Sequence, residues 1–218
     1  MRLLSRARDT ALSDRLVWQS ASLLLAYPDD GHAARLDTVA ELLHHVAGPA
    51  HEPLARAHAA LGGLDQRQAA EDYVATFDLA KRTTMYLTYW TAGDTRNRGA
   101  AMHAFAAAYR DAGVEPPKGE APDHLPVLLE FAATVDLRAG RRLLVEHRVP
   151  IAVLLDALTD RGSLYADAVT AVCATLPPPT EQDAVRVDRL AQAGPPAEAV
   201  GLQPFTLTVP PRRAEEVR

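Results

Sequence analysis

Cysteine is almost missing from this sequence, which has one, Cys173, among 218 residues. A single cysteine excludes an intramolecular disulfide framework and any zinc or iron–sulfur site built from several thiolates of this chain. Long hydrophobic runs are missing too, since none approaches the roughly 20 residues that span a bilayer. The basic N-terminus MRLLSRARDTALSDR has no uninterrupted apolar core before a small-residue cleavage site, unlike a signal peptide. We therefore expect a cytoplasmic protein without stable membrane insertion.

Basic residues are in slight deficit, with 23 Lys and Arg against 28 Asp and Glu and a formal net charge of −5. This balance gives no reason to expect nucleic-acid binding, which usually shows as a basic patch or stripe. Glycine-rich phosphate loops and the GxSxG elbow of hydrolases are also lacking. His44, His51 and His58 are spaced by seven, but Gly48-Pro49 interrupts that helical face, so no metal site is expected.

Apolar residues recur at helical spacing through most of the chain, which predicts an all-α fold. Ser13 and Asp65 are candidate N-caps, Gly113 a candidate helix stop, and Pro150 should kink or split its helix. Together the segments predict a single bundle of about seven or eight helices. The predicted helices cover residues 11–27, 31–47, 52–62, 66–77, 95–112, 123–138, 140–161 and 163–176.

The stretch TTMYLTYWT, residues 83–91, fits this pattern least. Its β-branched and aromatic residues favour a strand. No other segment offers a pairing partner except the short run Phe205–Val209, and an unpaired hydrophobic strand is a liability. We therefore predict that 83–91 is helical.

The composition changes at Pro177-Pro178-Pro179, and half of the sixteen prolines lie beyond Leu176. Large apolar residues are sparse there, so the segment buries too little surface to offset its ordering entropy. We expect a helical domain over residues 1–176 and a Pro-rich, mostly flexible tail over 177–218, with a short helix near 181–193.

Three polar residues in the 123–138 segment are candidates for function. Asp123 and His124 could act as an acid–base pair in a hydrolase or a nucleotide-binding protein. Asp123 also stands where the N-cap of the helix belongs, and no third orienting group or nucleophile is evident. Glu130 lies in the otherwise apolar run LPVLLEFAA, so its carboxylate must be paired, protonated or exposed at the edge of a groove.

Residues 73–131 carry an ordered series of motifs. These are YVxTFD from Tyr73, GDTRxRG from Gly93 opening a helix that ends in YRxAG, and PDHLPxxLEF from Pro122. The series resembles the NarJ branch of the TorD-like redox-enzyme maturation chaperones, and the leading LLLAYPDD (23–30) and LLVEHRVPIAVLLDAL (143–158) are also similar to that family.

The resemblance implies an all-helical protein that is not an enzyme and has no cofactor of its own. Such chaperones bind the N-terminal segment of the catalytic alpha subunit of nitrate reductase, which resembles a vestigial twin-arginine signal. They hold this apo-subunit in the cytoplasm while the molybdenum–bis(guanine dinucleotide) cofactor is inserted, before membrane docking. An escort for a different molybdoenzyme is the alternative within this class.

Carried onto this sequence, the family motifs imply a client-peptide site. We predict a helix-in-groove mode, with the trough lined by Tyr73, Phe77 and Leu129 and with Asp123 and Glu130 attracting the basic end of the peptide. The implied site residues are Tyr73, Phe77, Asp78, Asp123, His124, Leu129 and Glu130.

Overall fold

The structure is a computed structural model that describes residues 2–93 and 96–194 of the chain. Over these residues the chain forms eleven α-helices and no β-strand, which confirms the all-α prediction. None of these helices is long and apolar enough to cross a membrane. The helices are α1 Arg2–Leu24, α2 His32–Leu43, α3 His51–Gly62, α4 Gln66–Tyr73, α5 Leu87–Ala92, α6 Arg96–Asp111, α7 Leu125–Glu130, α8 Leu137–Glu146, α9 Arg148–Asp160, α10 Ala166–Ala174 and α11 Glu181–Ala193.

Helix α1 lies at the centre of the bundle and packs against α2, α3, α7 and α10. Its residues Val17, Trp18 and Ala21 are almost completely buried, as their apolar spacing predicts. The indole N–H of Trp18 donates a hydrogen bond of 2.8 Å to the Thr175 hydroxyl just beyond α10, which satisfies its polar atom in the core. The predicted cap at Ser13 is wrong, because α1 begins upstream and Ser13 lies inside it.

Several predicted helix ends are confirmed. Asp65 forms a capping box with Gln68 at the start of α4. Gly113 adopts a positive φ of 74° after α6. The predicted break before Pro150 occurs at His147, between α8 and α9. The first residue of the predicted helix 95–112, Thr95, lies outside the described residues, and α6 is described from Arg96.

Two helices end in a π-helical turn, and both carry motif residues. The turn Val74–Asp78 follows α4, and the turn Phe131–Val135 follows α7. The second turn packs closely on α8, where a Cβ atom at Gly140 would lie 2.3 Å from the Cβ of Ala132. A glycine is therefore required at position 140 for this approach.

The helical prediction for 83–91 is wrong at its start and right at its end. Residues Thr84 and Tyr86 are extended, and α5 begins at Leu87. The partner of the extended segment is the stretch before α7, which was predicted to be helical from Asp123. Tyr86 and His124 form an isolated antiparallel bridge, in which Leu87 N–H donates to Asp123 O at 3.0 Å and Leu125 N–H donates to Met85 O at 2.9 Å.

The short helix predicted near 181–193 is present as α11. Thr180 and Asp183 form its capping box, and Asp183 also pairs with Arg148 of α9. Helix α11 packs against α9, so this part of the predicted tail belongs to the bundle. The remainder of the predicted tail, residues 195–218, lies outside the described residues.

Candidate functional site

Three tyrosines and a histidine surround a small cleft between the end of α1, the end of α4 and the segment before α7. Its volume is about 170 Å³. Loop residues and the small apolar side chains between them complete the wall. The lining residues are Ala26, Tyr27, Tyr73, Tyr86, Gly119, Glu120, Ala121, His124 and Pro126.

The rings of the cleft are held in two pairs. Tyr27 and Tyr73 meet edge to face with 5.3 Å between ring centroids, and Tyr86 lies 4.9 Å from the ring of His124 at a tilt of 31°. Tyr73 is only 6% exposed and forms the floor, whereas Tyr27 and Tyr86 are 48% and 40% exposed. Two aromatic side chains therefore stand at the rim, where a partner can reach them.

The interior of the cleft is uncharged at neutral pH. Burial lowers the pKa of His124 to about 4, against a smaller opposing effect of the neighbouring Asp123 carboxylate. Burial likewise raises the pKa of the Tyr73 phenol, with Asp78 as a further cause. Glu120 is the exposed carboxylate of the lining. The cleft thus suits an apolar or aromatic side chain with an acidic group at one edge.

A wider, open depression of about 730 Å³ adjoins the cleft, because Tyr27 lines both. Asp29, Asp30 and Asp65 contribute three carboxylates to its lining, against the one guanidinium of Arg67, which pairs with Glu71. Arg35 donates to Asp29 at 2.7 Å and lowers the pKa of that carboxyl. The aromatic cleft and the acidic depression form one surface that meets at Tyr27.

Of the predicted site residues, Tyr73 and His124 line the cleft together. Phe77 is 8% exposed and packs into an internal aromatic cluster, 4.8 Å from Tyr73 and 4.9 Å from Tyr165 between ring centroids. Asp78, the last residue of the first π turn, is exposed. Phe77 therefore supports the floor of the cleft from behind rather than facing a partner.

Asp123 is fully buried, so the structure does not place it at the edge of a groove, where it was predicted to lie. It does not cap its own helix either, because His124 takes the N-cap position of α7. Its carboxylate accepts hydrogen bonds from the backbone N–H of Thr88, at 3.2 Å, and from the Thr88 hydroxyl. Asp123 thus caps the first turn of α5, although it is 35 residues away in the sequence.

Leu129 and Glu130 also differ from the predicted trough. Leu129 is fully buried in the core, so it lines no surface. Glu130 is exposed at the end of α7. Burial raises the pKa of Tyr109 to about 12, and the negative charge of Glu130 adds to this effect. The structure therefore does not bring the five predicted side chains together at the surface: Phe77, Asp123 and Leu129 face the interior, Tyr73 lines the cleft, and Glu130 is exposed elsewhere.

The alternative of acid–base chemistry by Asp123 and His124 gains no support from this geometry. A fully buried carboxylate cannot touch a substrate, and His124 is packed against Tyr86. Within residues 2–93 and 96–194, no group of three His, Cys, Asp or Glu side chains is placed to hold a metal ion.

Four residues of this region were not predicted as site residues: Tyr27, Tyr86, Glu120 and Arg98. Signals for two of them were present, because Tyr27 lies in LLLAYPDD and Arg98 is the second arginine of GDTRxRG. Glu120 and Tyr86 had no such signal, since their places depend on how the loop before Asp123 meets the extended segment 84–86.

The described residues thus form an all-α bundle with two partly exposed tyrosines at the rim of a small cleft. The chain belongs to the nitrate reductase delta subunit family, whose family model matches residues 40–171.

Individual relatives agree with this assignment. The nitrate reductase-like protein NarX of Mycobacterium tuberculosis is 58% identical over 160 residues, which are 73% of this chain and 24% of NarX. The chain thus spans about a quarter of that relative. The probable nitrate reductase molybdenum cofactor assembly chaperone NarJ of Bacillus subtilis is 32% identical over 166 residues, covering 75% of this chain and 90% of NarJ. NarJ of Escherichia coli K12 is 32% identical over 151 residues, covering 66% and 63%.

Proposed function

We propose that this protein is an assembly chaperone for respiratory nitrate reductase, without catalytic activity or a cofactor of its own. It binds the N-terminal segment of the apo catalytic alpha subunit in the cytoplasm and keeps that subunit open for insertion of the molybdenum–bis(guanine dinucleotide) cofactor, before membrane docking. The family and the names of the NarJ relatives support the chaperone role. The observation that carries the binding mode is the tyrosine cleft.

The client segment docks as an amphipathic helix that places one apolar side chain in the cleft. Tyr27 and Tyr86 pack against this anchor from the rim, and Tyr73 contacts its tip. Aromatic side chains in a small pocket are typical of the few residues that dominate binding energy. Asp30 and Asp65, in the adjoining depression, attract the basic residues of the client.

The size of the cleft is consistent with a chaperone that must release its client. Burial of one aliphatic or aromatic anchor contributes about 1.5–3 kcal/mol, which cannot by itself give a permanent complex. The exposed acids add attraction that salt screens over about 8–10 Å. Binding should therefore be reversible and sensitive to ionic strength.

Calorimetry with a synthetic peptide of the N-terminal segment of the nitrate reductase alpha subunit tests this proposal. Tyr86→Ser and Tyr27→Ser should each weaken binding about tenfold, because each removes aromatic surface from the rim. Leu79→Ser is the matched control, since Leu79 is 78% exposed outside the cleft and should leave affinity unchanged. Equal affinities for all four proteins would refute the cleft as the binding site.

The identity of the client is tested separately. Co-purification with the apo alpha subunit of nitrate reductase should exceed that with the catalytic subunit of another molybdoenzyme at equal concentration. A stronger complex with the other subunit would favour the escort alternative, in which the same cleft serves a different client.

A further inference from the structure

Arg98, on the first turns of α6, connects three separate parts of the chain. Its guanidinium carbon lies 5.2 Å from the centroid of the Tyr86 ring. Its Nε donates to the Thr88 hydroxyl at 3.3 Å, and a terminal nitrogen lies 3.6 Å from the Asp123 carboxylate. The Arg98 side chain is 26% exposed, so it stays near the surface while its head group reaches inward.

Asp123 needs a positive neighbour, because a fully buried carboxylate without compensation is costly. Among the residues that the structure describes, Arg98 lies within ion-pair distance of this carboxylate. The Thr88 hydroxyl donates to Asp123 and accepts from Arg98, so the three side chains form one hydrogen-bonded chain. This chain ties the start of α5 to the segment before α7.

The same two segments carry one wall of the cleft. Tyr86 and His124 face each other across the isolated bridge, and both line the cleft. The cation on the ring of Tyr86 also uses the aromatic surface that a client lysine or arginine would otherwise seek. Arg98 thus affects both the position of Tyr86 and His124 in the wall and the affinity of this wall for a positively charged client side chain.

We infer that Arg98 is the positioning residue that makes the tyrosine cleft selective for an uncharged client side chain. It holds Tyr86 against His124, occupies the cation-binding surface of Tyr86 and supplies the counter-charge of Asp123. This inference rests on the proposed function for its ligand, but its structural part concerns the protein alone.

The test compares Arg98→Met, which keeps the length of the side chain without its charge, with Arg98→Lys, which keeps the charge. Arg110→Met, an exposed position on the same helix, is the control. Two probes are titrated by calorimetry: the N-terminal peptide of the alpha subunit, and the same peptide with its apolar anchor replaced by lysine. Arg98→Met should lower the affinity for the first peptide about tenfold and leave the affinity for the lysine peptide nearly unchanged, so the ratio of the two affinities falls. Arg98→Lys should retain most of this ratio. Equal losses for both peptides would overturn the assigned selectivity.

A second readout does not need the peptide. Among the described residues, the Asp123 carboxylate acts on the charge of the His124 imidazole, Glu120 lines the same cleft, and Arg98 lies against the ring of Tyr86 that packs on His124. Removal of the Arg98 charge leaves the Asp123 carboxylate uncompensated, so an NMR titration should show a higher pKa for His124 in Arg98→Met than in the unmodified protein.

An unchanged His124 titration would overturn the positioning role even if the peptide binds. Conversely, if the unmodified protein binds neither peptide, the proposed function fails, while a raised His124 pKa in Arg98→Met would still support the role of Arg98 in building the wall.

Discussion

Single residues determine how closely the π turn after α7 approaches α8. Gly140 lies against Ala132, at a separation that leaves no room for a Cβ atom. Core packing of this kind is invisible in the sequence, because nothing in LRAGRR distinguishes this glycine from one tolerated inside an exposed helix. The same limit explains the error at Asp123, whose local position indicated an N-cap but whose carboxylate binds Thr88, 35 residues away in sequence.

Gly140→Ala should destabilise the protein by about 1–3 kcal/mol, because the added methyl group overpacks the contact between α8 and the π turn. Gly99→Ala is the matched control, since no atom lies within 4 Å of the Cβ it would add, and it should be neutral or stabilising by about 0.5–1 kcal/mol. Urea unfolding measures both. Equal midpoints for the two variants would contradict the close approach at Gly140.

His124 should make stability depend on pH. Because burial holds its folded pKa at about 4, below the ordinary value of 6.5, the unfolded chain takes up the proton first. The contribution of neutral His124 to the free energy of unfolding is complete above pH 6.5 and is lost progressively as pH falls to about 4. The loss is about 2–3 kcal/mol, allowing for partial exposure of the ring.

The measurement is the free energy of unfolding in urea at a series of pH values between these limits. His124→Phe should remove this part of the slope, while His103→Gln, at an exposed position, should keep it. Burial also lowers the pKa of His32, which adds to the pH dependence of stability equally in all three proteins. The effect of His124 is therefore the difference in slope between each variant and the unmodified protein. A slope that His124→Phe leaves intact would contradict the burial of His124.

At the scale of elements, helical periodicity was enough to find most of the bundle, and the capping signals at Asp65 and Gly113 were read correctly. The segment 83–91 was harder, because its strand propensity is satisfied by one bridge to residues that were assigned to the next helix. Which faces of α4 and α7 are covered could not be predicted either. Both helices end in π turns, which change the direction of the side chains that follow.

Helix α11 packs against α9, and Arg148 of α9 forms an ion pair with Asp183 of α11. Arg148→Met should lower hydrogen-exchange protection across residues 181–193, because Asp183 loses its partner on α9 while its capping bond to Thr180 remains. Protection in α1 and α10 should not change. Arg186→Met, at an exposed position of α11, is the control, and equal exchange in both variants would contradict the role of the pair.

The same pair implies an effect of acid on α11. Hydrogen bonds from Thr180, and then from Arg148, lower the pKa of Asp183 below its ordinary value of 3.8. The contribution of the Asp183 carboxylate is therefore complete above that value and is lost as pH falls through the lower folded pKa. As pH falls below 3.8, hydrogen exchange in α11 should rise before exchange in the rest of the bundle does. A simultaneous rise in all helices would argue against this role of Asp183.

At the scale of the whole molecule, the family resemblance carried by three motifs indicated the fold and the class of function, and the family match agrees. The location of the site depended on tertiary structure. Tyr27, Tyr73 and Tyr86 come from three separate segments, and only the packing of the end of α1, the end of α4 and the extended segment before α5 brings them to one cleft.

The central claim is that a client segment occupies this cleft. A photo-crosslinking amino acid placed at position 27 or 86 should attach to the N-terminal peptide of the nitrate reductase alpha subunit, and unlabelled peptide should compete. The same group at Val135 or Val185, exposed positions outside the cleft lining, should give no specific product. Attachment at 135 or 185 with none at 27 and 86 would contradict the account.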